Sequence, residues 1–121
     1  MLGTIVIDQI LVECIIGVYE FERNNKQPLL IDIELSYDSI KACQSDNLKY
    51  AIDYFQITED VYSFVSQSSF QLIEALTSSI ADRVLMNEMI VNTTVSVSKP
   101  DALKRANTVS FRLTKNNSLS F

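Results

Sequence analysis

PLLIDIELSY, at positions 28–37, carries an apolar side chain at every odd position and the polar residues Asp32, Glu34 and Ser36 at even positions. Because successive side chains of a β-strand point to opposite faces, this alternation predicts a strand that is buried on one side only. The same pattern predicts two strands nearer the C-terminus, one with Val91, Val95 and Val97 on its apolar face and one with Val109, Phe111 and Leu113. These segments indicate a sheet with one apolar face, which packs against the core.

The N-terminal segment predicts a fourth strand, whose alternation changes phase. Its apolar residues stand at odd positions, Ile5 and Ile7, and then at even positions, Ile10, Val12, Cys14 and Ile16. A β-bulge adds one residue to one strand of a pair and so moves the side chains beyond it to the other parity. We therefore expect a bulge near Asp8-Gln9.

Between the two pairs of strands the apolar period becomes helical. One helical stripe consists of Ile57, Val61, Phe64 and Val65, and a second consists of Ile73, Leu76, Ile80 and Val84. Asp53 and Gln56 stand at capping-box spacing before the first stripe. The second stripe predicts a helix from about Gln71 to Met86, and a short helical turn is expected at Ser39–Gln44.

The resulting order of elements, β-β-α-α-β-β, indicates an α+β fold with a four-stranded antiparallel sheet and two helices on one face. The 121 residues contain no repeat and no Pro/Gly linker, so we expect one domain over residues 1–121, with 115–121 as a frayed tail. An open sheet leaves two strand edges unpaired, and such edges favour pairing with further copies of the chain. We therefore expect a symmetric homo-oligomer.

Scarce residue types exclude several kinds of chemistry. The chain has no His, two Cys and two Gly, which excludes His-based catalysis, His-ligated zinc and glycine-rich phosphate loops. We expect no metal and no cofactor. The net charge of −5 argues against nucleic-acid and membrane partners. Two reduced cysteines and the lack of a signal peptide or a membrane-length apolar run predict a cytoplasmic protein.

Four residues with chemically useful side chains stand near the ends of predicted elements, and each also has a purely structural interpretation. Lys99 ends a strand, where it can act as an acid, base or anchor, or can simply extend its ammonium group to water. Glu74 lies in the first turn of a helix, where a negative charge stabilises the N-terminus. Tyr54 can be an aromatic residue at a surface rim, and Glu22 can be an ordinary exposed acid in a loop.

Four motifs that contain these residues occur in the order and spacing of one enzyme family. They are IGVYEFER at 16–23 with QPL at 27–29, SDNL at 45–48 with DY at 53–54, FQLIE at 70–74, and VSKP at 97–100. In these motifs, which cover nearly the whole chain, the sequence resembles the dihydroneopterin aldolases, and Ser-Lys-Pro is the most specific element. The resemblance implies the tunnelling fold, in which subunits close their sheets into a barrel. It also implies a homotetramer or homo-octamer with active sites at subunit interfaces.

The resemblance further implies a reaction of folate biosynthesis. Dihydroneopterin, a pterin, would be cleaved by a retro-aldol reaction between C1′ and C2′ to 6-hydroxymethyl-7,8-dihydropterin and glycolaldehyde. An aldol cleavage needs an electron sink, which is usually a lysine Schiff base or a metal ion. Here the C6=N5 imine of the pterin, conjugated to C1′, would accept the electrons, so neither would be required. The lyase would then supply position and proton transfer.

The family implies a role for each matching residue. Lys99, Tyr54 and Glu22 would be catalytic: Lys99 would hold a water and the side-chain hydroxyl and take part in proton transfer, and Glu22 would contact the trihydroxypropyl chain. Tyr54 of a neighbouring subunit would cover the pterin ring and help to deliver a proton to C1′. Glu74 and the backbone of Ile73 would bind the pterin 2-amino and N3 edge.

Two other functions remain open on the sequence. One is the epimerisation of dihydroneopterin triphosphate at C2′ on the same fold, because Lys104 and Arg105 can meet a triphosphate, although they can equally belong to a solvated loop. The Ser-Lys-Pro element favours the aldolase, with C2′ epimerisation as a side activity. The other alternative is a non-catalytic pterin-binding or assembly protein, which the intact set of four candidate residues argues against.

Overall fold

The computed structural model describes residues 1–117. The strands are β1 (Leu2–Cys14), β2 (Gln27–Asp38), β3 (Ile90–Lys99) and β4 (Val109–Asn116). The helices are α1 (Glu20–Asn24), α2 (Ile40–Ser45), α3 (Tyr54–Ser66) and α4 (Ile73–Val84), with a 3₁₀ turn at Leu48–Tyr50. No helix in this part of the chain is long and apolar enough to cross a membrane.

The four strands form one antiparallel sheet in the order β1-β2-β3-β4. The odd residues of PLLIDIELSY face the apolar residues of both neighbouring strands: Ile33 pairs with Ile7 and with Val95. Strands β1 and β4 are the two edges of the sheet. The predicted α+β fold and its order of elements are confirmed.

The phase change of the first strand has the predicted cause. Ile7 pairs with Ile33 and Ile10 pairs with Ile31, so the register shifts at Asp8-Gln9. Gln9 takes up a left-handed conformation with a φ of 56°, and its N–H donates to Asp32 Oδ1 at 2.8 Å. The bulge near Asp8-Gln9 is confirmed, and it lets both halves of β1 turn apolar side chains toward the core.

Helices α3 and α4 cover one face of the sheet and bury the two predicted apolar stripes. Asp53 is the N-cap of α3, and its Oδ1 accepts a hydrogen bond from the Gln56 N–H at 3.0 Å. The fully buried side chains of the core come from both layers and include Leu29, Ile31, Ile33, Leu35, Val61, Val65, Leu76, Ile80, Val95 and Val97. The burial of these apolar side chains is the main favourable contribution to folding.

Two sequence predictions need correction. Val91 was expected on the buried face of β3, but a register shift between Ser36 and Tyr37 places Ile90 there, and Ile90 is fully buried. The frayed tail was expected from residue 115, but Lys115 and Asn116 belong to β4. Lys115 Nζ donates to Ser78 Oγ at 2.7 Å and to Asp82 Oδ1 at 2.8 Å, which ties this end of β4 to α4. The rest of that prediction, residues 118–121, lies outside the described residues.

Candidate functional site

Lys99 and Glu22 meet at one end of the sheet. Lys99 is the last residue of β3 and Glu22 lies in α1, and Lys99 Nζ donates a hydrogen bond to Glu22 Oε2 at 2.9 Å. The two side chains are only 12% and 9% exposed. The purely structural interpretations required the side chains of Lys99 and Glu22 to extend into solvent. Neither does so. The fold brings together two candidate residues that are 77 positions apart.

The loop before α1 is shaped to receive the Glu22 carboxylate. Gly17 has a φ of 126°, which favours glycine, and a Cβ atom there would overlap the carboxylate. Gln27 donates from Nε2 to Glu22 Oε2 at 3.1 Å and to the Ile16 carbonyl at 2.8 Å. The Tyr19 N–H donates to Glu22 Oε1 at 3.4 Å. Sequence reasoning gave Gln27 no role, although it belongs to the first motif.

Burial and hydrogen bonding shift the pKa of the Glu22 carboxyl in opposite directions. Burial raises the pKa of its carboxyl, whereas hydrogen bonds from Lys99, Gln27 and the Tyr19 N–H lower it, and the net pKa lies below the ordinary value. Glu22 is therefore a carboxylate at neutral pH. Within the described residues the Lys99 ammonium makes no other hydrogen bond, and a lysine ammonium has three donors. Lys99 can thus donate to a ligand or a water while it stays paired with Glu22.

A surface depression of about 290 Å³ opens over this pair. Its wall consists of Tyr19, Phe21, Ala102, Leu103 and Val109. The rings of Tyr19 and Phe21 are nearly parallel, with an angle of 5° between them and 6.0 Å between their centroids. An apolar wall around one ion pair suits a small, flat, partly polar ligand.

Ile73 and Glu74 begin α4, directly after the loop 67–72. This loop contacts the one before α1, because the Gly17 N–H donates to the Phe70 carbonyl at 3.2 Å. Glu74 is exposed. Across residues 1–117 its carboxylate takes part in no hydrogen bond and no ion pair. The Glu74 carboxylate is therefore open to a donor from a ligand.

Tyr54 stands apart from the other candidates. It is the first residue of α3 and is 61% exposed, beside Phe55, which is 68% exposed. It lines a different depression, together with Leu48 and Ile52. A single chain therefore does not bring Tyr54 into the depression that holds Glu22 and Lys99.

Comparison with known proteins identifies the family. The dihydroneopterin aldolase (FolB) family model matches residues 5–114. The chain belongs to the dihydroneopterin aldolase family. It is 34% identical to the dihydroneopterin aldolase of Escherichia coli K12 over 113 residues, which is 93% of each chain. A crystal structure of an E. coli dihydroneopterin aldolase in complex with neopterin superposes with a TM-score of 0.89 and 32% identity, over 94% of this chain and 99% of that one.

Relatives of the dihydroneopterin aldolase family with another activity are about equally similar. The dihydroneopterin triphosphate 2′-epimerase of Pseudomonas aeruginosa is 35% identical over 98 residues, which is 81% of this chain and 80% of that one. Overall identity therefore does not separate the two activities, and the side chains at the site have to do so. Lys104 and Arg105, the residues that favoured a triphosphate, are exposed in the loop after β3.

In this member of the dihydroneopterin aldolase family, the motifs located the candidate residues but did not predict their environment. The segment 20–24 has no apolar periodicity, so neither α1 nor the burial of Glu22 was expected. The available signal was the pairing of Gly17 with Glu22 and Gln27 in one motif, since a glycine beside polar residues often marks a close approach of the backbone.

Proposed function

We propose that the protein is a dihydroneopterin aldolase, a metal-free lyase that forms no Schiff base. The observation that carries the proposal is the buried Glu22–Lys99 pair under an apolar depression, in a chain of this family. The substrate would be 7,8-dihydroneopterin, and the products would be 6-hydroxymethyl-7,8-dihydropterin and glycolaldehyde.

The reaction needs two proton transfers and one electron sink. Loss of the proton from the 2′-hydroxyl lets the C1′–C2′ bond break, so that C2′ becomes the aldehyde carbon of glycolaldehyde. The electron pair of that bond passes to C1′ and into the C6=N5 imine of the pterin. Protonation of C1′ then gives the hydroxymethyl product. Lys99 would hold the 2′-hydroxyl and a water through its remaining donors and take part in the transfer, while Glu22 orients Lys99 and contacts the trihydroxypropyl chain.

Recognition of the pterin ring would fall to Glu74 and the backbone of Ile73. The pterin 2-amino and N3 groups are adjacent N–H donors, and a carboxylate can accept from both at once. The exposed Glu74 carboxylate, which has no partner within residues 1–117, supports this role. The structure of the E. coli relative contains neopterin. Neopterin has the same trihydroxypropyl side chain as dihydroneopterin, and its pterin ring is the oxidised form.

The active form would be a homotetramer or homo-octamer. Tyr54 and the Glu22–Lys99 pair line separate depressions of one chain, so an adjacent subunit would have to supply Tyr54. The free edges β1 and β4 would join neighbouring sheets into a barrel. Tyr54 would then cover the pterin ring and help to protonate C1′.

The epimerase is the second candidate, because an epimerase is among the relatives of similar identity. Both activities share the first bond cleavage. In an epimerase the aldehyde turns over, and C1′ attacks its opposite face before C1′ is protonated. Because C2′ is the aldehyde carbon, this attack inverts the configuration at C2′. The balance between the two therefore depends on how fast C1′ receives its proton.

One incubation separates these functions. The purified protein is incubated with 7,8-dihydroneopterin, and glycolaldehyde, hydroxymethyl-dihydropterin and the C2′ epimer are quantified by chromatography. We expect glycolaldehyde in equal molar yield with the hydroxymethyl product, unaffected by EDTA. Enzyme that has been treated with substrate and borohydride together and then desalted should keep its full activity, because it forms no Schiff base that borohydride could trap. Epimer without glycolaldehyde would identify an epimerase, and tight binding without any product would identify a non-catalytic protein. The effect of Lys99→Ala on this yield is compared with that of Lys115→Ala. Lys115 is also a strand lysine paired with a carboxylate, but it lies at the opposite end of β4 from Val109, which lines the depression.

A further inference from the structure

Arg23, the residue directly after Glu22, makes an unusual set of contacts. Its Nη1 donates to the carbonyl oxygens of Gly17 and Phe70, both at 3.1 Å, and its Nη2 donates to the Ser69 carbonyl at 2.8 Å. In the part of the chain that the structure describes, no carboxylate lies within ion-pair distance of this guanidinium. The charge of Arg23 is therefore used entirely on neutral backbone acceptors.

These acceptors belong to two loops that carry different parts of the site. Gly17 lies against the Glu22 carboxylate, and Ser69 and Phe70 stand in the loop 67–72, which leads directly into Ile73 and Glu74. The Phe70 carbonyl accepts a second hydrogen bond from the Gly17 N–H at 3.2 Å. Arg23 thus links the loop before α1, which lies against Glu22, to the loop that precedes α4.

We propose that Arg23 is a positioning residue, which fixes the distance between the Glu22–Lys99 pair and the Glu74 carboxylate by holding the loop before α1 against the loop 67–72. This inference rests on the proposed function, because only a ligand that contacts both places at once depends on that distance. A pterin that carries a hydroxylated side chain is such a ligand: its ring edge meets Glu74 and its side chain meets Lys99.

The geometry of arginine suits this task. A guanidinium is planar and presents five N–H donors in a rigid fork, so it can hold three carbonyls in fixed directions. A lysine at the same position has a single nitrogen on a flexible chain, and it cannot reach acceptors on both loops with the same constraint. We therefore expect Arg23→Lys to behave almost like Arg23→Met, although it keeps the charge.

The test compares two ligands on four proteins. Neopterin carries the ring edge and the hydroxylated side chain, whereas 6-methylpterin carries the ring edge alone, and the affinity of both is measured by calorimetry. The proteins are the wild type, Arg23→Met, Arg23→Lys and the control Arg83→Met. Arg83 is also a half-buried arginine on a helix, bonded to Asp60 at 2.6 and 3.0 Å and packed over the Phe64 ring, but its guanidinium donates to no carbonyl of either loop.

In both Arg23 variants we expect neopterin to bind at least about tenfold more weakly and 6-methylpterin to change by less than about threefold, because a misplacement of about 1 Å is costly only for a ligand held at both ends. With dihydroneopterin, kcat should fall together with a rise in KM. Equal losses for both ligands, or losses no larger than those of Arg83→Met, would overturn the positioning role. Circular dichroism checks folding, and if Arg23→Met does not fold, Arg23→Lys carries the comparison.

Failure of the inference differs from failure of the proposed function. A wild-type protein that binds neither ligand would contradict the pterin assignment itself. A wild-type protein that binds both, with Arg23 variants that keep the wild-type ratio of affinities, would contradict only the positioning role of Arg23.

Discussion

The Glu22–Lys99 pair differs from the separate side chains of Tyr54 and Glu74 in how many hydrogen-bond partners one chain supplies. Both oxygens of Glu22 are hydrogen-bonded and its pKa is lowered accordingly, so the pair is organised before any ligand arrives. Tyr54 and Glu74 are exposed, and the Glu74 carboxylate has no partner in residues 1–117. In the proposed mechanism, the first pair would be organised for proton transfer before substrate binds, and Tyr54 and Glu74 would gain their partners on binding or assembly.

The largest expected effect is that of Lys99→Ala on bond cleavage. If Lys99 takes part in proton transfer, the single-turnover rate should fall by roughly 10²–10⁴, with a much smaller change in pterin affinity. Because the substitution leaves the buried Glu22 carboxylate without its cation, the double variant with Glu22→Gln is measured in parallel to separate lost stability from lost chemistry. Turnover close to that of Lys115→Ala in a folded oligomer would remove Lys99 from the mechanism.

Tyr54→Phe tests whether the exposed Tyr54 side chain also takes part in chemistry. The ring remains, so pterin binding should largely survive, but protonation of C1′ should slow by about 10² or more. The carbanion intermediate would then persist and react with molecular oxygen, which an oxygen electrode and product chromatography under air would detect. The matched control is Tyr62→Phe, since Tyr62 is another exposed tyrosine on α3. Normal yields of the hydroxymethyl product would leave Tyr54 only a stacking role.

Glu74→Gln tests whether the exposed Glu74 carboxylate binds the pterin. The substitution removes a charge-assisted contact, so pterin affinity should fall by about 1.5–3 kcal/mol. The free energy of unfolding of the ligand-free protein should hardly change, because the carboxylate has no partner to lose. A lowered melting temperature with unchanged affinity would instead mean that Glu74 only stabilises the start of α4. Glu59→Gln, at an exposed position on α3, provides the comparison.

The smallest expected effect concerns acid stability. The pKa of Glu22 in the folded protein lies below its ordinary value of 4.5, so its contribution to stability is present above that value and is lost as the pH falls through the folded pKa. The free energy of unfolding should therefore decrease more steeply in the wild type than in Glu22→Gln as the pH is lowered past 4.5. Urea unfolding at a series of pH values measures both slopes. Parallel curves would show that the pKa of Glu22 is the same in the folded and the unfolded protein.

Periodicity predicted the parts of the molecule where side-chain direction follows from position in a regular element. The alternation at 28–37 fixed the buried face of β2, and the phase change located the bulge in β1. The prediction for Val91 was wrong because a second register shift, at Ser36/Tyr37, left no mark in the apolar pattern.

The candidate site was predictable as a set of residues but not as an arrangement. The burial of Glu22 depends on the positive φ of Gly17, on Gln27 and on the five-residue helix α1. No apolar stripe in the sequence predicts that helix. The contacts of Arg23 were beyond sequence reasoning for a similar reason, since its three acceptors are backbone carbonyls, which every residue has.

The bulge at Asp8-Gln9 also decides which strands can join the free edge of β1. An intruding strand with a regular backbone can follow the hydrogen-bonding groups only up to the bulge, where the spacing of donors and acceptors changes. Aggregation through edge strands relies on long uninterrupted edges. The irregularity that lets both halves of β1 face one core thus also makes the outer edge of β1 a poor template for foreign chains.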